Sequence, residues 1–304
     1  MDATPSQNVW TIVLAGGDGT RLSRLTRALH GEPLPKQFAL IHAGRSLLQS
    51  TVARALRWSS PECIVVIVAA ERAALARSQL AQHPEITIIA QPRNAGTGPG
   101  IALPVAHVVA RDPDAKVVVL PSDHYVRHEG PFESSIRKAI AETSDQLALI
   151  GAVPDHAETQ YGWIVPAPSA GPGARVRAFR EKPPSAEARR LYLRGALWNT
   201  FVMVGFVDDF WSLIRRHLPE QAALLKLYSE AVRAGDERSL LGSLYADMPP
   251  ADFSSDVLQR AHDLWVVPLR ECGWSDWGTP ERVLESLRHH RDFTVLSQRL
   301  ATAT

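Results

Sequence analysis

The stretch Val9-Trp10-Thr11-Ile12-Val13-Leu14-Ala15-Gly16-Gly17-Asp18-Gly19-Thr20-Arg21 decides the fold. Residues 9–14 form a short apolar run that reads as a buried strand, and Ala15-Gly16-Gly17 carries it into a glycine loop. Working outward, similar runs recur at residues 64–68, 86–90, 117–120 and 147–152, separated by helical patterns at 46–57, 72–80, 100–110 and 132–142. Strands that alternate with helices and are too apolar to have a wet face belong in a sheet covered on both sides. The expected class is α/β, with a Rossmann-like, doubly wound, open and mostly parallel (mixed) sheet flanked by helices. The second half is less regular, with strands expected at 161–165, 176–179, 201–206 and 264–267 and helices at 186–194, 209–217, 221–234 and 280–289. Residues 166–173, rich in Pro, Gly and Ser, read as a surface turn within one domain.

A chain of 304 residues, 45% of them apolar, suits one large α/β domain or such a domain with a small appendage. The division read here is a domain over 1–290 and a short tail over 291–304. The formal net charge of +1 leaves no global footprint for nucleic acid or an anionic membrane surface, so an anionic ligand must be held locally. No run approaches the roughly 20 apolar residues of a membrane span. Residues 1–8 are polar and lack the basic and apolar regions of a secretory leader. Cys63 and Cys272, far apart in sequence, read as reduced core residues. Together these predict a soluble, cytoplasmic protein.

Three glycines in four positions let the backbone approach a ligand and turn N–H groups towards phosphate oxygens, while Arg21 adds a positive fork. That combination suits a triphosphate. A dinucleotide fingerprint would need glycine where Leu22 stands, and the P-loop ending Gly-Lys-Ser/Thr is missing. The glycines alone are also consistent with a tight strand-to-helix turn. Pro35-Lys36-Gln37-Phe38 follows, and this ordered pair of motifs resembles the sugar nucleotidylyltransferase family, its mannose-1-phosphate guanylyltransferase branch in particular. The resemblance covers roughly residues 9–283 and implies a fold of the nucleotide-diphospho-sugar transferase type. It implies that Leu14, Ala15, Gly16, Gly17, Gly19 and Thr20 bind nucleotide and that Arg21 and Lys36 contact the reacting phosphates.

Asp123, in Pro121-Ser122-Asp123-His124, lies at the carboxyl end of a predicted strand, where open α/β sheets bind ligands. By itself such an Asp could be a helix cap or turn residue. The resemblance makes Asp123 a Mg²⁺ ligand and supplies a second in Asp276, within Trp274-Ser275-Asp276-Trp277-Gly278-Thr279. A hard cation that keeps several waters needs only one or two carboxylates plus phosphate oxygens. His124 reads as a residue that orients Asp123, because the attacking phosphate oxygen is already anionic and needs no general base.

The loop 91–100 resembles the family's base-binding loop, so Gln91, Asn94 and Thr97, with Ser122, join the nucleotide-binding set. Downstream, Tyr161-Gly162-Trp163-Ile164, Phe179-Arg180-Glu181-Lys182-Pro183 and Leu197-Trp198-Asn199-Thr200 keep the family's order. By resemblance, Gly162, Glu181 and Asn199 bind the sugar and Lys182 its phosphate. Phe201 stands where many members have glycine. Trp58, Trp198, Trp211 and Trp265 read as packing residues, and the basic stretch 288–291 as a solvated helix end.

The implied reaction is nucleotidyl transfer from an NTP, GTP by resemblance, to a sugar 1-phosphate, mannose 1-phosphate by resemblance, with pyrophosphate released. Other NTP and sugar pairs stay open, as does a catalytically silent paralogue that binds a sugar nucleotide and regulates a partner. A glycosyltransferase is disfavoured by the lack of Asp-x-Asp at a strand end. The family's longer members add a left-handed β-helix or cupin-like domain, neither of which is expected within 291–304. A homodimer is compatible with the sequence; nucleic-acid and membrane partners are not expected.

Overall fold

The computed structural model describes residues 9–169, 171, 173–290 and 292–302. The polar stretch 1–8 lies outside them, as do parts of the 166–173 turn, of the basic stretch 288–291 and of the tail.

Eleven strands are described: β1 (Val9–Ala15), β2 (Ile64–Ala69), β3 (Thr87–Gln91), β4 (Lys116–Pro121), β5 (Tyr125–Val126), β6 (Leu147–Ala152), β7 (Trp163–Pro166), β8 (Ala174–Arg180), β9 (Leu197–Phe206), β10 (Leu264–Leu269) and β11 (Trp274–Ser275). Nine of them form a mixed sheet in the order β3-β2-β1-β4-β9-β6-β10-β8-β7, with β7 also pairing with β9. Within β1, Trp10 and Ile12 face one core cluster while Val9 and Val13 face the other; β2 and β4 alternate in the same way. Burial on both faces is why these strands read as unbroken apolar runs.

The helices are α1 (Ser23–His30), α2 (Leu47–Ala55), α3 (Ala73–Gln79), α4 (Thr97–Arg111), α5 (Glu129–Glu142), α6 (Ser185–Leu193), α7 (Val207–His217), α8 (Pro219–Ala234), α9 (Glu237–Ala246), α10 (Pro280–Leu287) and α11 (Asp292–Thr302). Helices α4, α7 and α8 bury their apolar residues on one face of the sheet, and α2, α3 and α5 on the other. The sequence pattern did not reveal α1, α9 or α11. Helix α1 occupies part of the stretch between Arg21 and Lys36, for which the sequence pattern gave no element, and Gly242 interrupts the helical pattern of α9. Helix α11 contributes Leu296 to a small cluster with Leu22, Leu25, Tyr125 and Trp277. No helix among the described residues is long and apolar enough to cross a membrane. Cys63 and Cys272 are buried and unbridged.

Parallel pairing is confined to β3-β2-β1-β4 and to β6-β10. Strand β9 runs antiparallel between β4 and β6, with Val119 opposite Met203 and Ala152 opposite Trp198. It begins at Leu197, four residues before the expected start, because a bulge opposite Ile150 and Gly151 absorbs Thr200 and Phe201 and lets the strand continue. This antiparallel insertion brings the beginning of β9 to the side where β1, β3, β4 and β6 end.

Candidate active site

The loop after β1 is pinned from below. Gln37 Nε2 donates to the carbonyls of Ala15 (3.1 Å) and Gly17 (2.7 Å). Gly19 has φ 59°, and a Cβ there would lie 2.8 Å from the Lys36 nitrogen, so only glycine allows the loop to rest on Pro35-Lys36. The two phosphate motifs noted in the sequence are therefore in contact. Arg21, in the helical turn after Gly19, has a side chain 62% exposed and stands 4.0 Å from Asp276 Oδ2.

Strand β4 lies parallel to β1, with Pro121 opposite Leu14. Ser122 ties the two ends together, its hydroxyl and N–H both donating to the Leu14 carbonyl (2.7 and 3.0 Å). Asp123 follows, and its Oδ2 lies 3.0 Å from Lys36 Nζ. The same ammonium donates to the carbonyls of Asp276 and Trp277. Lys36 is 5% exposed, and its three protons match these three acceptors. What brings Asp276 here is a two-stranded sheet in which Ser275 pairs with Tyr125, setting the residues flanking both strands side by side. Two-residue strands carry no periodicity that a sequence could display.

Asp276 is nearly buried, and its Oδ1 accepts from the Tyr161 hydroxyl (2.7 Å), the Gly278 N–H (2.9 Å) and Arg282 Nη1 (3.0 Å). Burial pushes its carboxyl up, but the Tyr161 hydrogen bond and the charges of Lys36 and Arg282 outweigh it and hold the group below the ordinary range. At Asp123 burial likewise opposes ionisation and is outweighed, chiefly by Lys36, so this carboxyl also sits low. Two ionised hard-oxygen donors beside a glycine loop fit Mg²⁺. His124 Nδ1 accepts from the Trp274 indole N–H (3.3 Å), which assigns the proton of the neutral ring to Nε2, 3.6 Å from Asp123 Oδ1. Burial lowers the His124 pKa, and Asp123 only partly opposes the shift.

Among the residues expected to bind the base, Gln91 is buried at the end of β3, and a Cβ on Gly16 would lie 3.2 Å from its Oε1. Asn94 Oδ1 accepts from the Gly96 N–H (2.9 Å). The Thr97 hydroxyl donates to Asp252 (3.0 Å) and accepts from the Phe253 N–H (2.8 Å), so it fastens the loop to a segment that the sequence had not marked. That segment also takes the Gly98 N–H on the Ala251 carbonyl (2.8 Å), and a Cβ on Gly96 would lie 2.3 Å from the same oxygen.

Among the residues expected to bind sugar, the Glu181 carboxylate lies over Gly162, where a Cβ would come within 2.7 Å of Oε2. The Gly162 carbonyl accepts from the Asn199 N–H (2.8 Å), and Asn199 Oδ1 accepts from the Phe201 N–H (3.1 Å). Glu181 is raised above the ordinary range by burial, against the pull of Lys182, whose Nζ lies 3.2 Å away. Phe201 has φ 59°, in the region glycine enters freely, and its ring packs edge-on against Phe253 with centroids 6.4 Å apart. Gly162, Glu181, Lys182 and Asn199 thus form one cluster. Tyr161, adjacent to Gly162, joins it to Asp276.

The sequence reading missed Gln37, Tyr161, Glu158 and Arg282 as site residues. Arg282 carried a usable signal, because a cation in the first turn of a helix opposes the helix dipole and implies a specific acid partner. Trp58 and Trp198 are buried, and Trp211 and Trp265 pack against the core clusters. In the basic stretch, His290 joins His42 and Asp292 in a polar cluster: His42 Nδ1 and the Ala43 N–H lie 2.9 and 3.1 Å from Asp292 Oδ2.

The chain is 32% identical to the xanthan biosynthesis protein XanB of Xanthomonas campestris pv. campestris, over 91% of this chain and 59% of that protein. It is 29% identical to a mannose-1-phosphate guanylyltransferase of Escherichia coli, over 94% of this chain and 61% of that one. The chain thus spans about three fifths of the length of these curated relatives. Among solved structures it resembles mannose-1-phosphate geranyltransferase from Thermus thermophilus, with a TM-score of 0.81, 29% identity, and 92% of this chain and 79% of that chain covered. With residues 10–292 matching the family model described as Nucleotidyl transferase, the chain belongs to the nucleotidyl transferase family.

Proposed function

We propose that the protein transfers a nucleotidyl group from an NTP to a sugar 1-phosphate and releases pyrophosphate, with GTP and mannose 1-phosphate as the first pair to test. The observation that carries this reading is Lys36 spanning Asp123 and the Asp276 backbone, directly beneath the glycine loop. The guanylyltransferase among the relatives and the mannose-1-phosphate enzyme among the solved structures favour that substrate pair.

In this reading the sugar-phosphate oxygen attacks the α-phosphorus, a new P–O bond forms, and the bond to the β,γ-pyrophosphate breaks. Asp123 and Asp276 would hold Mg²⁺, whose chemistry is to neutralise charge on the reacting phosphates. Arg21, exposed and 4.0 Å from Asp276 Oδ2, would stabilise the leaving pyrophosphate. Lys36 gives one of its three acceptors up to a phosphate oxygen. The Asn199 carboxamide oxygen is taken by Phe201, so its NH₂ is the group left to donate to a sugar hydroxyl. Glu181 accepts from another hydroxyl, and Lys182 steadies the sugar phosphate. His124 is kept neutral and removes no proton, since the nucleophile is already an anion.

A matrix of the common NTPs against sugar 1-phosphates, scored as pyrophosphate release with and without EDTA, tests this directly. Release should be greatest for GTP with mannose 1-phosphate and abolished by EDTA. No release from any pair, or release indifferent to EDTA, would overturn the proposal.

A further inference from the structure

Asp276 is held in a lopsided way. All three of its side-chain hydrogen bonds, from Tyr161, Gly278 and Arg282, arrive on Oδ1, while among the described residues Oδ2 accepts none and faces only the exposed guanidinium of Arg21, at 4.0 Å. The donors are themselves braced. The Arg282 guanidinium forks between Asp276 and Glu158 and lies over the Tyr161 ring, 4.7 Å from its centroid. Glu158 Oε1 accepts from the Gln160 N–H (2.7 Å), and the Glu158 carbonyl accepts from the Trp163 indole (2.8 Å). Tyr161 is wedged edge-on between Trp198 and Trp274, with centroids 5.1 and 5.5 Å away. Gly278 completes the arrangement, since a Cβ there would lie 2.4 Å from Asp276 Oδ2.

A free carboxylate rotates about its terminal bond and offers either oxygen. Three braced donors on one oxygen remove that freedom. We propose that Tyr161 and Arg282 are positioning residues that lock Asp276 through Oδ1 and so present Oδ2 to the catalytic cation, with Glu158 aiming the arginine fork. This assignment rests on the nucleotidyl-transfer reading and adds to it residues that touch neither substrate nor metal. Partners that orient a ligating carboxylate commonly contribute 10–100-fold in metal affinity, so loss of either donor is expected to weaken the cation by about tenfold.

The test uses the full chain. Mn²⁺ binding is measured by electron paramagnetic resonance with GTP present and sugar phosphate omitted, so that no turnover occurs. Tyr161→Phe keeps the ring and its packing and removes only the hydroxyl; Arg282→Lys keeps the charge without the fork, and Arg282→Met removes both. Tyr161→Phe and Arg282→Met are expected to bind Mn²⁺ about tenfold more weakly, with Arg282→Lys in between. In steady-state assays the Mg²⁺ concentration for half-maximal rate should rise in parallel, and raising Mg²⁺ should recover the lost rate. A thermal melt near that of the unaltered protein identifies folded variants. Unchanged Mn²⁺ affinity in folded Tyr161→Phe would overturn the assignment, as would a lost rate that Mg²⁺ does not recover. If the unaltered protein released no pyrophosphate from any pair, the nucleotidyl-transfer reading itself would fail; a competent protein with Mn²⁺ binding indifferent to Tyr161 sinks the positioning role alone.

Discussion

At the end of the site beside the glycine loop, both carboxylates have buried or half-buried partners: Lys36 for Asp123, and the Tyr161 hydroxyl and Arg282 for Asp276. At the end the proposed reading gives to the sugar, the partner of Glu181 is the largely exposed Lys182, 3.2 Å away, and Glu181 is buried enough for its ionisation to be disfavoured. The first region is preorganised, with both carboxylates held ionised by fixed partners. The second is shaped by backbone, through the tight approach of Gly162 to Glu181 and the bulge at Phe201. The difference separates two tasks. Charge at the transferring phosphorus is the same for every sugar, so it can be met by a rigid network. In the proposed reading, sugar recognition would depend on local backbone shape, which one substitution can alter.

The comparison breaks most sharply at the carboxylates. If Asp123 holds Mg²⁺ as proposed, Asp123→Asn exchanges an anionic oxygen donor for a neutral amide and should lower turnover on the order of 10³-fold at fixed Mg²⁺. Pyrophosphate release over a Mg²⁺ series measures it, and near-normal turnover at saturating Mg²⁺ would refute the metal assignment. Gly162→Ala pushes a methyl group against Glu181 and should raise KM for the sugar phosphate by about tenfold while KM for the NTP stays nearly constant. Equal changes in both KM values would erase the division between the two ends.

Acidification should separate them too. Glu181, raised above its ordinary 4.5, takes up a proton before Asp123 and Asp276, which lie below their ordinary 3.8. As pH falls, KM for the sugar phosphate should therefore rise before Mn²⁺ affinity drops. For stability the signs differ. The depressed aspartates stabilise the fold fully above pH 3.8 and lose that contribution below it, whereas protonating Glu181 relieves an unfavourable charge. Loss of Mn²⁺ binding ahead of the KM change would reverse the comparison.

The smallest effect is expected at Phe201. Phe201→Gly relieves a left-handed backbone at a saving of about 1–2 kcal/mol and loses ring packing on Phe253 of similar size, so urea unfolding should show a net change within about 1 kcal/mol. A much larger loss would mean that the Phe201–Phe253 contact holds the bulge in place.

Much of this was legible in the sequence because the signals were local. The unbroken apolar strands marked a sheet buried on both faces, and the motifs that contain Gly19 and Lys36, read as a pair, do touch. Tyr161 was not legible as a contact of Asp276, since a tyrosine beside a glycine reads as ordinary, and Arg282 showed only as a cation in the first turn of α10, without its partner, until Asp276 is placed between them. Thr97 looked like a base-reading residue, and its hydroxyl is tied to Asp252 and Phe253, a segment far along the chain.

By itself the sequence determined the α/β class, the order of the strands along the chain and the residue types able to hold phosphate and cation, because periodicity and turn chemistry act over a few residues. Only the tertiary structure decided that β9 runs antiparallel between β4 and β6, carrying Asn199 to the ligand side, and that Ser275 pairs with Tyr125, setting Asp276 beside Asp123. Those pairings join segments distant in sequence, and their free energy comes from packing and hydrogen bonds that exist only once the whole sheet has formed.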